Sequence, residues 1–388
     1  MGHFNNFPQE VVCTVLENLD LGSLSSTAIV SSPLRYPSER LMYHNANFWD
    51  DKKQVLSSQR TFLRTTSLSE RRARHVNTLV LHELGRYDLG DAETLRLLEK
   101  AMKLMVNLKN LCILGTPYID HAHLESATFS LTTLVLYFTR PDLDRSCNEY
   151  ERFLAILKAH PDLRGIALPD SHPWTTPDDH MLVALEEEDH HHHSAIICPR
   201  LEHIQSIAGG AIRSLFVGRR IKHLDMEKKT DGIEEWGSQS FSRYSHLRTL
   251  HIRVHSYDPP ENILPMAVAP HLISLTRLHV TIFYISWGPR PSVTFTPDLF
   301  MLSIAQNQTL ESLTLSADGS WCTCQSEQED MIQFLYKSCS KLRETFVQRS
   351  LGNPTHYHYG VNGAKIGLVE HEVACRPDKM FGTILSNS

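Results

Sequence analysis

With 388 residues, 41% of them hydrophobic, the chain is long enough for two or three domains or for one long repeat array. A net charge of −6 and a pI near 6.4 exclude the basic footprint of a nucleic-acid-binding protein. No apolar run reaches the roughly 18 residues that a membrane-spanning helix needs, which predicts no membrane partner.

In chain order, the first organised stretch is Phe7 to Tyr43. Pro8 suits the start of a helix, where no intrahelical N–H bond is lost, and Glu10 faces the positive end of the helix dipole. Val11, Val15 and Leu19 recur four apart with Val12 and Leu16 beside them, so one face of this helix is apolar. Asp20 and Gly22-Ser23 interrupt the pattern and offer caps for a second helix, whose buried stripe runs through Leu24 and Ala28 towards Val30. Pro33 and Pro37 are expected to break the chain before Glu39-Arg40-Leu41-Met42-Tyr43. Three helices this short expose more aliphatic surface than they hide, which predicts a partner.

The ordered set Phe7-Pro8-x-Glu10-Val11-Val12-x-x-Val15-Leu16-x-x-Leu19-Asp20, followed by Leu24, Ala28, Val30 and Ser31, resembles an F-box. The family usually carries Leu at the position of Phe7 and a basic residue at that of Ser32. The resemblance implies docking on a Skp adaptor through Phe7, Pro8, Glu10, Val11, Val12, Val15, Leu16, Leu19, Leu24 and Val30. Through the adaptor it implies a cullin.

Residues 48–75 are polar and charged, with Trp49, Val55, Leu56, Phe62 and Leu63 as irregular anchors, and are expected to form a helical linker. From Val76 a small pattern returns: an aliphatic residue, another three later and another two after that. Its copies are Val76-Leu79-Leu81, Leu108-Leu111-Ile113, Leu131-Leu134-Leu136, Leu163-Ile166-Leu168, Ile221-Leu224-Met226, Leu247-Leu250-Ile252, Leu275-Leu278-Val280 and Leu310-Leu313-Leu315. Leu201-Ile204-Ser206 and Leu342-Thr345-Val347 are weaker copies. The last two positions alternate as a strand requires. Before four of the copies, Leu98/Met102, Phe153/Leu157, Phe300/Ile304 and Ile332/Tyr336 stand at the same offsets, one buried helical stripe before each strand.

Helix and strand repeated on this scale predict a solenoid. Its units, 20 to 38 residues apart, resemble the irregular leucine-rich repeats found behind F-boxes. Cys198-Pro-x-Leu201 and Cys339-x-x-Leu342 look like the Cys-led variant. Ile212–Val217 leaves too little chain on either side for a parallel crossover and is expected to be a helical turn. After residue 350 the register is lost; Tyr357-His358-Tyr359 and Ile366-Gly367-Leu368-Val369 suit strands of a cap over the last repeat.

Candidates for chemistry are few. Glu186-Glu187-Glu188-Asp189 followed by His190–His193 lies in the longest interval between copies, where an insertion loop belongs, and lacks the held scaffold of a metal site. Cys322-Thr-Cys324 falls one residue short of a Cys-x-x-Cys motif. His82-Glu83 and His371-Glu372 begin a zinc-protease motif, but Arg86 and Cys375 stand where the second His is needed. His121-x-His123 and His356-x-His358 fit surface strands. Arg71-Arg72-Arg74, Arg219-Arg220-Lys222 and Lys228-Lys229 read as solvated basic faces.

The expected architecture is therefore α/β: a three-helix F-box module at 1–47, a helical linker at 48–75, an irregular leucine-rich-repeat-like solenoid at 76–350 and a C-terminal cap or tail at 351–388. The expected function is substrate recognition for a Skp–cullin–F-box ubiquitin ligase, with a protein target held on the repeats and no catalysis, cofactor or metal of its own. The alternatives are a repeat scaffold without a ubiquitin role and a metal-dependent hydrolase. Eight scattered cysteines fit a reducing compartment. The first twenty residues carry no signal-peptide pattern, so a cytoplasmic or nuclear location is expected.

Overall fold

The computed structural model describes residues 8–48, 53–82, 92–116, 122–138, 155–167, 197–208, 219–228, 241–255, 264, 268–283, 297–317, 325–349, 355–359 and 365–370. Among these the protein is mixed α/β and divides into two compact units, Met1–Arg164 and Gly165–Asn387.

The first unit opens with α1 (Gln9–Glu17), α2 (Leu21–Val30) and α3 (Ser32–His44). Pro8 caps α1, its carbonyl accepting from the N–H groups of Val11 and Val12 at 3.0 and 3.2 Å. Asp20 caps α2 with both carboxylate oxygens: Oδ1 accepts from the Ser23 N–H at 2.8 Å and Oδ2 from its hydroxyl at 3.1 Å. These bonds hold the Asp20 carboxyl below its ordinary value. A Cβ at residue 22 would sit 3.2 Å from Asp20 Oδ1, so the cap closes tightly because Gly22 is there. Pro37 does not break the chain as expected; α3 runs through it. Pro33 occupies the first turn, where no bond is lost, and Pro37 gives up only the bond to the Pro33 carbonyl. Leu34, Ser38 and Glu39 are buried on the helix either side of it.

After α3 come β1 (Asn45–Asn47), α4 (Lys53–Leu68), α5 (Glu70–Ala73), β2 (Thr78–His82), α6 (Ala92–Leu104), β3 (Asn110–Thr116), α7 (Ala122–Glu125) and β4 (Thr133–Phe138). The segment read as a linker is thus two packed helices. Gln59, Leu63 and Thr66 are fully buried at helical spacing on α4, and Arg60 Nε donates to Thr94 Oγ1 of α6 at 2.9 Å. Strands β1 to β4 pair in sequence order, all parallel, with Leu79, Leu111 and Leu134 in register. Leu79, Val80 and Leu81 are consecutive and all buried, as are their partners on β3 and β4. Consecutive strand side chains point to opposite faces, so both faces of this sheet are covered.

The second unit holds β5 (Gly165–Ala167), β6 (His203–Ala208), β7 (His223–Lys228), β8 (Thr249–His255), β9 (Arg277–Phe283), α8 (Pro297–Ala305), β10 (Ser312–Ala317), α9 (Gln325–Ser338), β11 (Glu344–Arg349), β12 (Thr355–Tyr359) and β13 (Lys365–Glu370). Strands β5 to β11 are parallel and in sequence order, with Ile166, Ile204, Leu224, Leu250, Leu278, Leu313 and Thr345 in one row. Short 3₁₀ turns at Phe241–His246 and Ala269–His271 precede β8 and β9, whereas full helices precede β10 and β11. Crossovers of different length explain the uneven spacing of the copies. Strands β12 and β13 continue the sheet as an antiparallel pair beyond β11.

One turn recurs in both units. The N–H of the first aliphatic residue donates to the carbonyl three residues back in eight copies, from Val76 to Ala73, Leu108 to Met105, Leu163 to His160, Leu201 to Cys198, Leu247 to Tyr244, Leu275 to Leu272, Leu310 to Asn307 and Leu342 to Cys339. All eight acceptor residues are buried. Three of their side chains reach back to a carbonyl of the preceding copy. His160 Nε2 lies 3.1 Å from Leu124 O, Asn307 Nδ2 donates to Leu272 O at 2.9 Å and Cys339 Sγ to Ile304 O at 3.6 Å. The copy led by Cys339 therefore uses a small buried donor where two other copies use His or Asn. Burial raises the thiols of Cys198 and Cys339 to about 11, so they stay protonated and inert.

Candidate functional site: an aliphatic face on the N-terminal helices

Helices α1 and α2 each pack on α3, and their small core is Leu16, Leu24, Ala28 and Leu34. With that core filled, several large aliphatics are left facing outward. Val11 is 45% exposed, Val15 53%, Leu21 67%, Ile29 75% and Val30 81%. At helical spacing Val11 and Val15 share one side of α1, offset from Leu16. Five exposed large aliphatics within twenty residues are a concentration, whereas scattered single exposures need no explanation.

The residues expected to dock a partner thus fall into two groups. Pro8, Glu10, Val11, Val15 and Val30 are exposed, and Val12 and Leu19 half-buried. Leu16 and Leu24, only 3% and 5% exposed, belong to the module's own core and shape the face without forming it. Phe7 lies outside the described residues. The reading from sequence missed Leu21 and Ile29. Ile29 follows Ala28 directly and so stands off the Leu24/Ala28 stripe, on the unpacked side of α2, whereas Leu21 lies on the stripe three residues before Leu24 and is exposed as the first residue of the helix.

A second feature lies on β7 to β10. The residue between the second and third positions of a copy is apolar on β2 to β4, as Val80, Cys112 and Val135, but polar on β6 to β10, as Gln205, Asp225, His251, His279 and Thr314, with apolar Ala167 and Phe346 on the flanking β5 and β11. Asp225 Oδ1 accepts from Arg253 Nε at 3.0 Å, and its Oδ2 lies 3.2 Å from His251 Nδ1. His251 Nε2 is 2.9 Å from Thr281 Oγ1, which also lies 3.2 Å from His279 Nε2; that nitrogen is in turn 3.2 Å from Ser316 Oγ. Although buried, Asp225 is held below its ordinary value by His251 and Arg253. Carboxylate, imidazole and hydroxyl in line can activate a nucleophile, but here a second imidazole and a guanidinium compete for the same atoms. The line ties four strands together. The imidazoles of His251 and His279 stack at 4.1 Å, and those of His203 and His223 at 4.2 Å.

Among the described residues no cluster of three or more His, Cys, Asp or Glu side chains could hold a metal ion, and no helix is long and apolar enough to cross a membrane. Glu186–His193, Ile212–Val217, Cys322–Cys324, His121 and His371-Glu372 lie outside the described residues, as do the side chains of His82, His123, His356 and His358. Comparison with known protein families finds no matching family model, and comparison with curated proteins finds no match.

Proposed function

We propose that the protein is a substrate-recognition subunit of a Skp–cullin–F-box ubiquitin ligase. The N-terminal helices act as the F-box and dock the Skp adaptor, and the strand-and-crossover array, a leucine-rich-repeat-like solenoid, holds a target protein. The observation that carries this reading is the exposure of Val11, Val15, Leu21, Ile29 and Val30 on a module whose sequence order resembles an F-box. Burying such a surface is favourable at about 25 cal/mol per Å² of apolar area, so the helices gain stability from a partner. Chemistry belongs to the other subunits of the ligase, and this chain raises the target's effective concentration beside them.

Affinity capture of the full chain followed by mass spectrometry tests the assignment. Recovery of a Skp adaptor together with a cullin is the expected result. Recovery of target proteins without either would move the chain to the class of repeat scaffolds with no ubiquitin role.

A further inference from the structure

Within the first unit, a cavity of about 700 Å³ opens between α3, α5 and the turns before β2 and β3, a size ordinary for small-ligand pockets, which run from about 300 to 1,000 Å³. Arg40 from α3, Arg71 and Arg74 from the α5 region, and Lys109 from the turn before β3 bring four cations to its walls. Glu70 is the carboxylate facing them, and it pairs with Arg74. Arg71 reaches Glu39 at 2.6 Å, but that buried carboxylate also serves Arg72 at 3.3 Å, so one negative charge is divided between two guanidiniums. Lys109 Nζ donates to the neutral carbonyl of Ser130 at 3.3 Å, which leaves its charge uncompensated. Arg40 makes no hydrogen bond or ion pair among the described residues.

A concentration of positive charge in a chain of net charge −6 is a local construction, not a reflection of composition. Repelling cations brought together from separate elements cost stability unless an anion joins them. His75, also on the wall, has its Nε2 buried with no hydrogen-bond partner among the described residues. Burial first, then Arg71, Arg40 and His44 against the opposing pull of Glu39, keep its imidazole below the ordinary value. The exposed ring of Tyr36 meets His75 edge-on at 5.0 Å. Guanidiniums in a concave, partly desolvated wall are the donors that phosphate oxygens take best.

We propose that this cavity binds a small soluble ligand carrying two or more phosphate groups. Arg40 and Lys109 supply the uncompensated charge, Arg71 and Arg74 flank the anion, and His75 offers a further polar contact. The site is separate from the aliphatic face of α1 and α2, so it stands or falls independently of adaptor docking.

Calorimetric titration of the full chain with inorganic pyrophosphate tests the proposal, with sulfate titrated alongside. The expected result is saturable one-to-one binding that weakens at least tenfold, roughly, in the Arg40→Gln/Lys109→Gln variant and weakens as salt is raised. Neither side chain holds a buried partner, and an unchanged melting temperature of the ligand-free variant will show that its fold is intact. Pyrophosphate should also raise the melting temperature of the native chain and not that of the variant. Absence of binding by the native chain, equal affinity in the variant, or sulfate binding as tightly as pyrophosphate would each overturn the proposal.

Discussion

His223 and His279 show how a residue's neighbours set its charge. Burial lowers His279 to about 3, helped by repulsion from His251 and opposed by Asp225. His223 falls to about 4, through burial first, then repulsion by His203, Lys222 and Arg248, with Glu202 opposing. A histidine lowered in the folded state takes up its proton first in the unfolded chain, near pH 6.5. Stability is therefore complete above that pH and declines as pH falls from about 6.5 towards 4. Thermal melts across this range should show the loss, and His223→Gln with His279→Gln should flatten it; a slope unchanged in that variant would place its origin elsewhere. Asn307 makes a different prediction. Replacing it with Ala removes the 2.9 Å donor to the Leu272 carbonyl, which keeps the Leu275 N–H, and the acceptor of the Thr309 N–H; the loss should cost about 0.5–1.5 kcal/mol per bond in denaturant unfolding. The stacked histidines were not legible in the sequence, because His203/His223 and His251/His279 are twenty or more residues apart and meet only through strand register.

Among the elements, the strands were the most legible. Leu310-Glu-Ser-Leu313-Thr-Leu315 encodes β10 by alternation alone, and Leu310, Leu313 and Leu315 are fully buried. Leu313→Ala should cost about 2–5 kcal/mol through the cavity it leaves, against about 0.5 kcal/mol or less for Glu311→Ala on the exposed side. Hydrogen exchange should localise the first loosening to β9, β10 and β11, whose register Leu313 joins. The helical stripes were legible too where Leu98/Met102 and Phe300/Ile304 are buried. Other elements carried little signal. Strand β1 is Asn-Ala-Asn with Ala46 alone buried, so pairing to β2, not side-chain pattern, makes it a strand. On α4 the buried stripe includes Gln59 and Thr66; polar residues there hid the amphipathic period. Thr66 is accommodated because its hydroxyl donates to the Phe62 carbonyl at 2.9 Å.

At the scale of the whole molecule, each unit buries one continuous row of strand side chains, while the opposite strand face is apolar on β2 to β4 and polar on β6 to β10. The repeat was readable from residue spacing, but the basic cavity was not: Arg40, Arg71, Arg74 and Lys109 come from three distant stretches, and only folding brings them together. In the module proposed to dock the adaptor, burial separates the exposed residues from Leu16 and Leu24. That separation defines the most direct test of the central claim, calorimetric titration of the purified chain with a purified Skp adaptor. Val11 and Val15 are exposed, so Val11→Ser/Val15→Ser should leave the melting temperature unchanged. Losing two aliphatic anchors should nonetheless weaken binding about a hundredfold, at roughly 1.4 kcal/mol for each tenfold. Tight one-to-one binding by the native chain and its loss in this variant is the predicted result; no binding by the native chain, or undiminished binding by the variant, would contradict the account.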